Sequence, residues 1–365
     1  MRVLVVNAGS SSLKLRLLDD DHLERSADLP AGPDGFDTSH LVAVLQGWTA
    51  PDVVGHRVVH GGTNFTGPVL IDDAVREQLR GLTDLAPLHQ PKSLAALDAV
   101  TAQLPGVVAV ASFDTAFHTT IPAAAATYAV PREWRERYAI RRYGFHGLSH
   151  AYCCRRAAEL LGRPLEGLRI VTCHLGSGAS LAAVVGGRSV DTTMGFTPLE
   201  GLVMATRSGS IDPGLILWLE EHEHLSAREI ANALEQRSGL TGLAGTGDMR
   251  EVQAAADRGD PDAVLAIDVY IHRLVGGIGA MSAATGGVDV LVFTGGVGEN
   301  SSTIRSRAAE RLGFLGVAID DHRNDTVHDD GDITAGRATV RTVVITARED
   351  LQIAREARSL LGPGS

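Results

Sequence analysis

The residues between Asn7 and Lys14 form a turn of one glycine and three serines closed by a lysine. Such a turn presents backbone N–H groups and hydroxyls in a concave patch suited to phosphate oxygens, and Lys14 adds a compact charge. A plain polar hairpin turn would share this composition. Near the other end, Thr294-Gly295-Gly296-Val297-Gly298-Glu299-Asn300 follows an apolar run. Glycines there allow close backbone approach, as at the C-terminal edge of a nucleotide-binding sheet. Two arginines stand beside glycine-rich segments: Arg57 in Gly55-His56-Arg57, and Arg207 in Thr206-Arg207-Ser208-Gly209. Two guanidiniums of this kind could clamp a carboxylate and a transferring phosphoryl group. Asp114 and Glu349 fall at or just past strand ends, where Mg²⁺ ligands project. His146 and His150 have the i,i+4 spacing of a zinc protease, but Gly147 stands where that chemistry needs glutamate. His146 therefore reads as a donor held in a site. No GxxxxGK[ST] string includes either lysine, Lys14 or Lys92, so any nucleotide chemistry needs a fold other than the P-loop.

The elements that must position these groups follow from the apolar pattern. Residues 1–6 and 13–18 read as strands on either side of the polar turn, which makes a hairpin. Residues 52–60 read as a strand running into Gly61-Gly62, 91–104 as a helix, and 107–112 as a buried strand leading to Asp114. The same grammar returns at 169–173, a turn over 174–180, and 181–185, followed by a strand at 188–192. Placing Gly9 on Gly176 sets Asn7 on His174 and Ser10 on Ser177, so the hairpin looks duplicated. A long apolar helix is expected at 262–284, a buried strand at 288–293, a helix at 301–312, a last strand at 341–346 and an amphipathic helix at 349–361. Strands mixed with helices throughout indicate an α/β protein.

Bulk properties fit a globular enzyme. The chain has 365 residues, comfortable for two domains, with 44% hydrophobic and 21% charged residues. A net charge of −11 argues against nucleic acid as the main partner. Three cysteines without CxxC spacing fit a reducing compartment rather than a disulfide framework. No signal peptide or membrane span is read, so the expected location is the cytoplasm, without a membrane partner.

With these residues in place, the chain resembles the acetate kinase family over nearly its whole length. The strings that carry the resemblance are VNAGSSSLK at 6–14, GHRVVHGG at 55–62, APLHQP at 86–91, FDTAFH at 113–118 and RYGFHGLSH at 142–150. They continue as HLGSGAS at 174–180, DTTMGFTPLEGLVMATRSG at 191–209, DMR at 248–250, FTGGVGEN at 293–300 and RED at 348–350. The resemblance implies two actin-like (ribonuclease H-like) domains with mixed sheets flanked by helices and the active site in the interdomain cleft. The boundaries expected are 1–120 plus 348–365 for the N-terminal domain and 121–347 for a C-terminal domain that binds nucleotide and dimerises. It implies reversible, Mg²⁺-dependent, in-line phosphoryl transfer between ATP and acetate, giving acetyl phosphate and ADP, with Mn²⁺ able to substitute, in a homodimer.

Carried over by motif, Asn7, Ser10, Ser12 and Lys14 would face the transferring group. Arg57, Arg207 and His146 would serve the carboxylate and the equatorial oxygens. Asp114 and Glu349, with Asn7, would serve the metal. His174, Leu175, Gly176, Ser177 and Gly178 would line the ATP phosphates. Asp248, Met249, Arg250, Gly295, Gly296, Val297, Gly298 and Asn300 would hold the nucleotide. Val59, Leu88, Phe145 and Pro198 would wall the acetate methyl group. The chain departs from the family pattern at Ser177, Ser210 and Ala347-Arg348, and 19–51 looks abbreviated. A propionate or butyrate kinase of the same superfamily, and an actin- or chaperone-like ATPase switch, are the alternative readings.

Overall fold

The computed structural model describes residues 1–9, 12–32, 35–83 and 90–362. The chain begins with β1 (Arg2–Ala8), β2 (Ser12–Asp19), β3 (His22–Gly32) and β4 (Gly35–Phe36), then helix α1 (Thr38–Gln46). β5 (Val53–Val58), β6 (Val69–Leu70), α2 (Asp73–Gly81), α3 (Gln90–Gln103) and β7 (Val108–Phe113) follow. Next come three helices, α4 (Ala123–Ala126), α5 (Arg132–Tyr138) and α6 (Gly147–Leu160).

The second half opens with the strands β8 (Arg169–Leu175), β9 (Ala179–Val185) and β10 (Arg188–Thr192). Helices α7 (Pro213–His222), α8 (Ala227–Gln236), α9 (Gly239–Ala244), α10 (Met249–Asp257) and α11 (Pro261–Ala284) lead to β11 (Val290–Thr294). The chain ends with α12 (Gly295–Asn300), α13 (Ser302–Arg311), α14 (Asp321–Thr326), β12 (Gly331–Asp332), β13 (Arg341–Val344) and α15 (Glu349–Leu361).

Two compact units result. Unit 1 takes residues 1–119, 145–152 and 348–365; unit 2 takes 120–144 and 153–347. In unit 1 the strand order is β4-β3-β2-β1-β5-β7-β6. β3, β2 and β1 run antiparallel to one another, while β5 and β7 add parallel strands beside β1. In unit 2 the order is β10-β9-β8-β11-β13-β12, again with three antiparallel strands followed by two parallel ones. The duplication read from the two Gly-Ser turns is therefore a duplication of the sheet. Each unit is an α/β, actin-like module with a mixed sheet flanked by helices.

The period-two pattern sorts unit 1 into two faces. Leu4, Val6, Leu13, Leu15, Leu17 and Val54 turn toward α1 and α3, and Val3, Val5, Leu18 and Val53 turn toward Ile353, Ala354 and Ala357 of α15. α15 can approach closely because position 55 has no side chain: a Cβ on Gly55 would lie 2.6 Å from Cγ2 of Ile353. Arg57 lies two residues further along the same face.

Two boundaries differ from expectation with consequences below. β5 ends at Val58, so Val59 lies beyond the strand. Gly295–Asn300 is not an open turn but a six-residue helix. Within unit 2, α11 is the one helix among the described residues long and apolar enough to cross a membrane by composition, although no such segment is expected from the sequence. Its buried residues, from Ala263 to Ser282, pack in unit 2, and Gly277 passes so close to β9 that a Cβ there would meet Leu181 at 2.8 Å. Asp262, Asp268 and Arg273 on the same helix argue for a core helix rather than a span.

Candidate active site

At the C-terminal ends of the parallel strands of unit 1, four polar side chains meet. Arg57 leaves β5, Asp114 follows β7, Asn7 sits near the end of β1 and Glu349 opens α15. The Arg57 fork donates Nη2 to Asp114 Oδ2 at 2.6 Å and Nε to both Asp114 oxygens at 3.2 Å. Its Nη1 donates to Asn7 Oδ1 at 3.1 Å, and Asn7 Nδ2 donates to Glu349 Oε2 at 2.8 Å. Glu349 also lies 4.0 Å from Arg57 Nε. Asn7 is therefore the bridge of the cluster, with both amide atoms engaged. Asp114 is only 1% exposed. Burial pushes its carboxyl upward, and the Arg57 charge opposes that push. Burial alone would lower the Arg57 guanidinium, but Asp114 and then Glu349 more than offset it and hold it above the ordinary arginine value.

A second approach fixes this cluster to the Phe145–Gly147 segment. The N–H of Gly147 donates to the Asp114 carbonyl at 2.9 Å, and any side chain at 147 would overlap that carbonyl. The residue before it, His146, has φ +55°, a left-handed conformation rare outside glycine. α6 starts at Gly147, so His146 lies outside the helix and does not share a helical face with His150. Phe145 is buried edge-on to His60, with ring centroids 5.5 Å apart, and its carbonyl bonds His118 Nε2 at 3.0 Å. Val59 is buried as well.

Lys14 is exposed on β2 and pairs across the hairpin with Asn7, which puts both on one face. Gly9 N donates to Ser12 O at 2.8 Å to close the turn. Ser10 and Leu88 lie outside the described residues, as does most of the APLHQP string.

In unit 2 the matching hairpin closes with Gly176 N donating to Gly178 O at 2.9 Å. His174 and Leu175 end β8, and Ser177 is exposed at the turn. Beside this turn, β11 runs into α12. Gly295 has φ +78° and passes so close that a Cβ would lie 2.8 Å from the Leu175 carbonyl oxygen, so only glycine makes this entry. Glu299 Oε1 accepts from Gly295 N at 2.8 Å and Ala347 N at 2.9 Å, which explains why a glycine-rich segment coils. Asn300 Nδ2 donates to Gly296 O at 2.9 Å, and no atom lies within 4 Å of a Cβ placed on Gly296. Val297 is half-buried and Gly298 buried. Arg305, itself 1% exposed, donates Nη1 to the carbonyls of Gly298 and Glu299, and Nε to Asn324.

Asp248 caps α10, accepting from Arg250 N at 2.9 Å, and its carboxylate also takes the Arg250 side chain, which lowers its pKa to about 2. Met249 is buried behind it. Sequence reasoning passes over Glu299 and Arg305, because their role appears only once the chain has folded α12 between them.

Arg207 is placed differently from Arg57. Its Nη1 donates to the Pro198 carbonyl at 2.9 Å, and it makes no ion pair among the described residues. Burial lowers its guanidinium from the ordinary value, and Glu235 offsets part of that. A half-buried cation without a contacting carboxylate favours an incoming anion.

For a divalent cation, the donor set of unit 1 is chemically suitable. Asp114 and Glu349 are two hard carboxylates within one cluster, and Mg²⁺ is held by one or two protein carboxylates completed by substrate phosphates and water. No group of three or more His, Cys, Asp or Glu side chains that could hold a metal alone occurs among the described residues, which suits a metal that arrives with its nucleotide.

The Acetokinase family model matches residues 38–355. The acetate kinase of Gloeobacter violaceus is 45% identical over 98% of this chain and 98% of its own length. Among solved structures, Porphyromonas gingivalis acetate kinase superposes with a TM-score of 0.90 at 36% identity, over 99% of this chain and all of the other. A propionate kinase from Francisella tularensis superposes with a TM-score of 0.89 at 35% identity, over 98% and 99%.

Proposed function

The chain belongs to the acetokinase family, and on that footing we propose that Arg57, Arg207 and their neighbours carry a reversible phosphoryl transfer between ATP and acetate. It is a kinase whose acceptor is a carboxyl group. An acetate oxygen is already a competent nucleophile, so no general base is required. The work left to the protein is positioning and charge dispersal on the three equatorial oxygens of the transferring group. The observation that carries the reading is Arg207, a half-buried guanidinium bound, among the described residues, to one carbonyl and to no carboxylate. Arg57, pinned by Asp114 and Asn7, is preorganised beside it in role, as a fork that need not be reoriented when substrate arrives. His146 adds a donor, held by its left-handed backbone rather than by a helix. The turn at Gly176–Gly178 and the glycine-rich α12 supply backbone N–H groups and room for the nucleotide. Asp114 and Glu349 would hold Mg²⁺, which when bound neutralises phosphate charge.

The same reading extends to a homodimer. Leu215, Leu217 and Trp218 on α7, and Val264 and Leu265 on α11, are large apolar side chains exposed in unit 2. Sedimentation velocity should give twice the chain mass.

Trapping the product as its hydroxamate tests the activity. Acetate, ATP and Mg²⁺ together should give hydroxamate, and omission of acetate should abolish it. Slow ATP hydrolysis indifferent to acetate would instead identify an ATPase switch. Because a propionate kinase superposes nearly as well as an acetate kinase, propionate and butyrate belong in the same assay at fixed ATP.

A further inference from the structure

The loop that carries Pro198 is held from one side by a three-residue network that none of the motif strings explains as a unit. Arg142 Nη1 donates to the carbonyls of Thr193 and Met194, both at 3.1 Å, and its Nη2 donates to Glu200 Oε1 at 2.8 Å. The other Glu200 oxygen accepts from the Tyr128 hydroxyl, and that hydroxyl accepts from the Phe196 N–H at 3.0 Å. The Arg142 guanidinium also lies over the Tyr128 ring, 5.5 Å from its centroid. Gly195 makes the arrangement possible, since any side chain there would collide with both Glu200 and Tyr128. Five hydrogen bonds, to Arg142 and Tyr128, thus tie down residues 193–200, and the same loop offers its Pro198 carbonyl to Arg207.

We infer that Tyr128, Glu200 and Arg142 form a brace of positioning residues that sets the Pro198 carbonyl and, through it, the Arg207 guanidinium. The inference rests on the reading that Arg207 serves phosphoryl transfer. Among the described residues the Arg207 guanidinium has one hydrogen bond and no ion pair, so its direction depends on where a single carbonyl stands. A hydrogen bond to one acceptor aligns a guanidinium only as well as that acceptor is fixed. The brace fixes it with a charge-assisted network, stronger and more directional than neutral turn contacts. Burial, and then the bond to Glu200, raise the Tyr128 pKa, so the hydroxyl keeps the proton that it donates.

The test is Tyr128→Phe in the full chain, which keeps the ring and removes both hydroxyl contacts. Expected is a fall in kcat of about tenfold, a loss the size of one mispositioned charge contact, with the KM for ATP unchanged. Glu200→Gln, which keeps an acceptor for Arg142 but weakens the charge, should lower kcat less. A merely structural brace would lower the melting temperature and leave kcat at a permissive temperature alone, and that result overturns the inference. A double-mutant cycle completes the test. In the Arg207→Ala background Tyr128→Phe should have no further effect on kcat; an undiminished tenfold loss there overturns the route through Arg207. If Arg207→Ala alone turns over normally, the role of Arg207 fails, and the brace falls with it. If Arg207→Ala is slow while Tyr128→Phe and Glu200→Gln are both normal, the brace alone is overturned. Should Tyr128→Phe fail to fold, Glu200→Gln decides by the same cycle.

Discussion

Unit 1 and unit 2 repeat the same six-strand order, to which unit 1 adds β4, and use it for different electrostatics. In unit 1 the guanidinium of Arg57 is matched at once by Asp114, by Asn7 and, at longer range, by Glu349. In unit 2 the guanidinium of Arg207 is half-buried and, among the described residues, bonded to a single carbonyl. The turns differ too: three residues separate the strands in each, but the glycine N–H closes on Ser12, three residues on, in one and on Gly178, two residues on, in the other. A duplicated framework therefore fixes where side chains emerge, not which charge state the position favours. One arginine is part of the fold's own balance; the other has no contacting carboxylate among the described residues.

That contrast can be broken from either side. The largest effect should come from Asp114→Ala, which would strip Arg57 of its hydrogen-bonded carboxylate and leave it only Asn7 and the more distant Glu349. Breaking a buried pair in this way costs about 3–5 kcal/mol, to be read from denaturant unfolding. A stability within 1 kcal/mol of wild type would show that the pair is not integral to unit 1. The converse change, Arg207→Ala, removes a charge that makes no ion pair among the described residues and that Glu235 offsets only in part. It should cut kcat by roughly 10²-fold or more, about 2.7 kcal/mol of transition-state stabilisation, while stability stays level or rises. Arg207→Lys should recover little, because the planar fork is lost. Equal losses of stability in both variants would erase the distinction between the two arginines.

A smaller effect belongs to the reverse face of β5. His56 is buried with neither ring nitrogen hydrogen-bonded among the described residues, and burial, with Arg76 second, lowers its pKa to about 3. The unfolded chain takes up a proton near pH 6.5 that the folded chain refuses, so stability is full above that pH and is lost as pH falls toward 3. At pH 5 the loss from this group is about 2 kcal/mol. His56→Leu should flatten the decline in melting temperature between pH 8 and pH 5; an unchanged slope would assign the acid sensitivity elsewhere. The smallest effect concerns Val59. Val59→Ala should raise the propionate-to-acetate ratio of kcat/KM by roughly tenfold, about 1.4 kcal/mol. A lower melting temperature with an unchanged ratio would make Val59 ordinary core.

The legible parts of the fold are those where apolar periodicity and turn chemistry agree. α15 is found residue for residue because its apolar spacing and its Glu349-Asp350 start coincide. The two hairpins are legible because their turns share glycine and serine. β3 is not, since most of its side chains are exposed and no alternation marks it. A strand over 52–60 would set Val59 on the same face as Arg57 by two-residue alternation, but β5 ends at Val58, so alternation does not place it. The glycines of 295–298 hide a helix because what coils them is the Glu299 carboxylate, a contact that also reaches Ala347. Tyr128 and Arg142 are silent in the sequence because their partners lie 51 to 72 residues away, and Arg305 because it bonds carbonyls that face it only once α12 has coiled.

If the Arg207 guanidinium takes an anion as proposed, it also ties the protein's stability to its solvent. A place that welcomes an anion in the folded chain and does not exist in the unfolded one links stability to anion concentration, growing as RT ln(1 + [L]/Kd). Phosphate, sulfate and acetate in a buffer then act as ligands of the native state rather than as background. A melting temperature measured in phosphate belongs to the protein and its buffer jointly, and the same protein in a large zwitterionic buffer should melt lower at equal ionic strength.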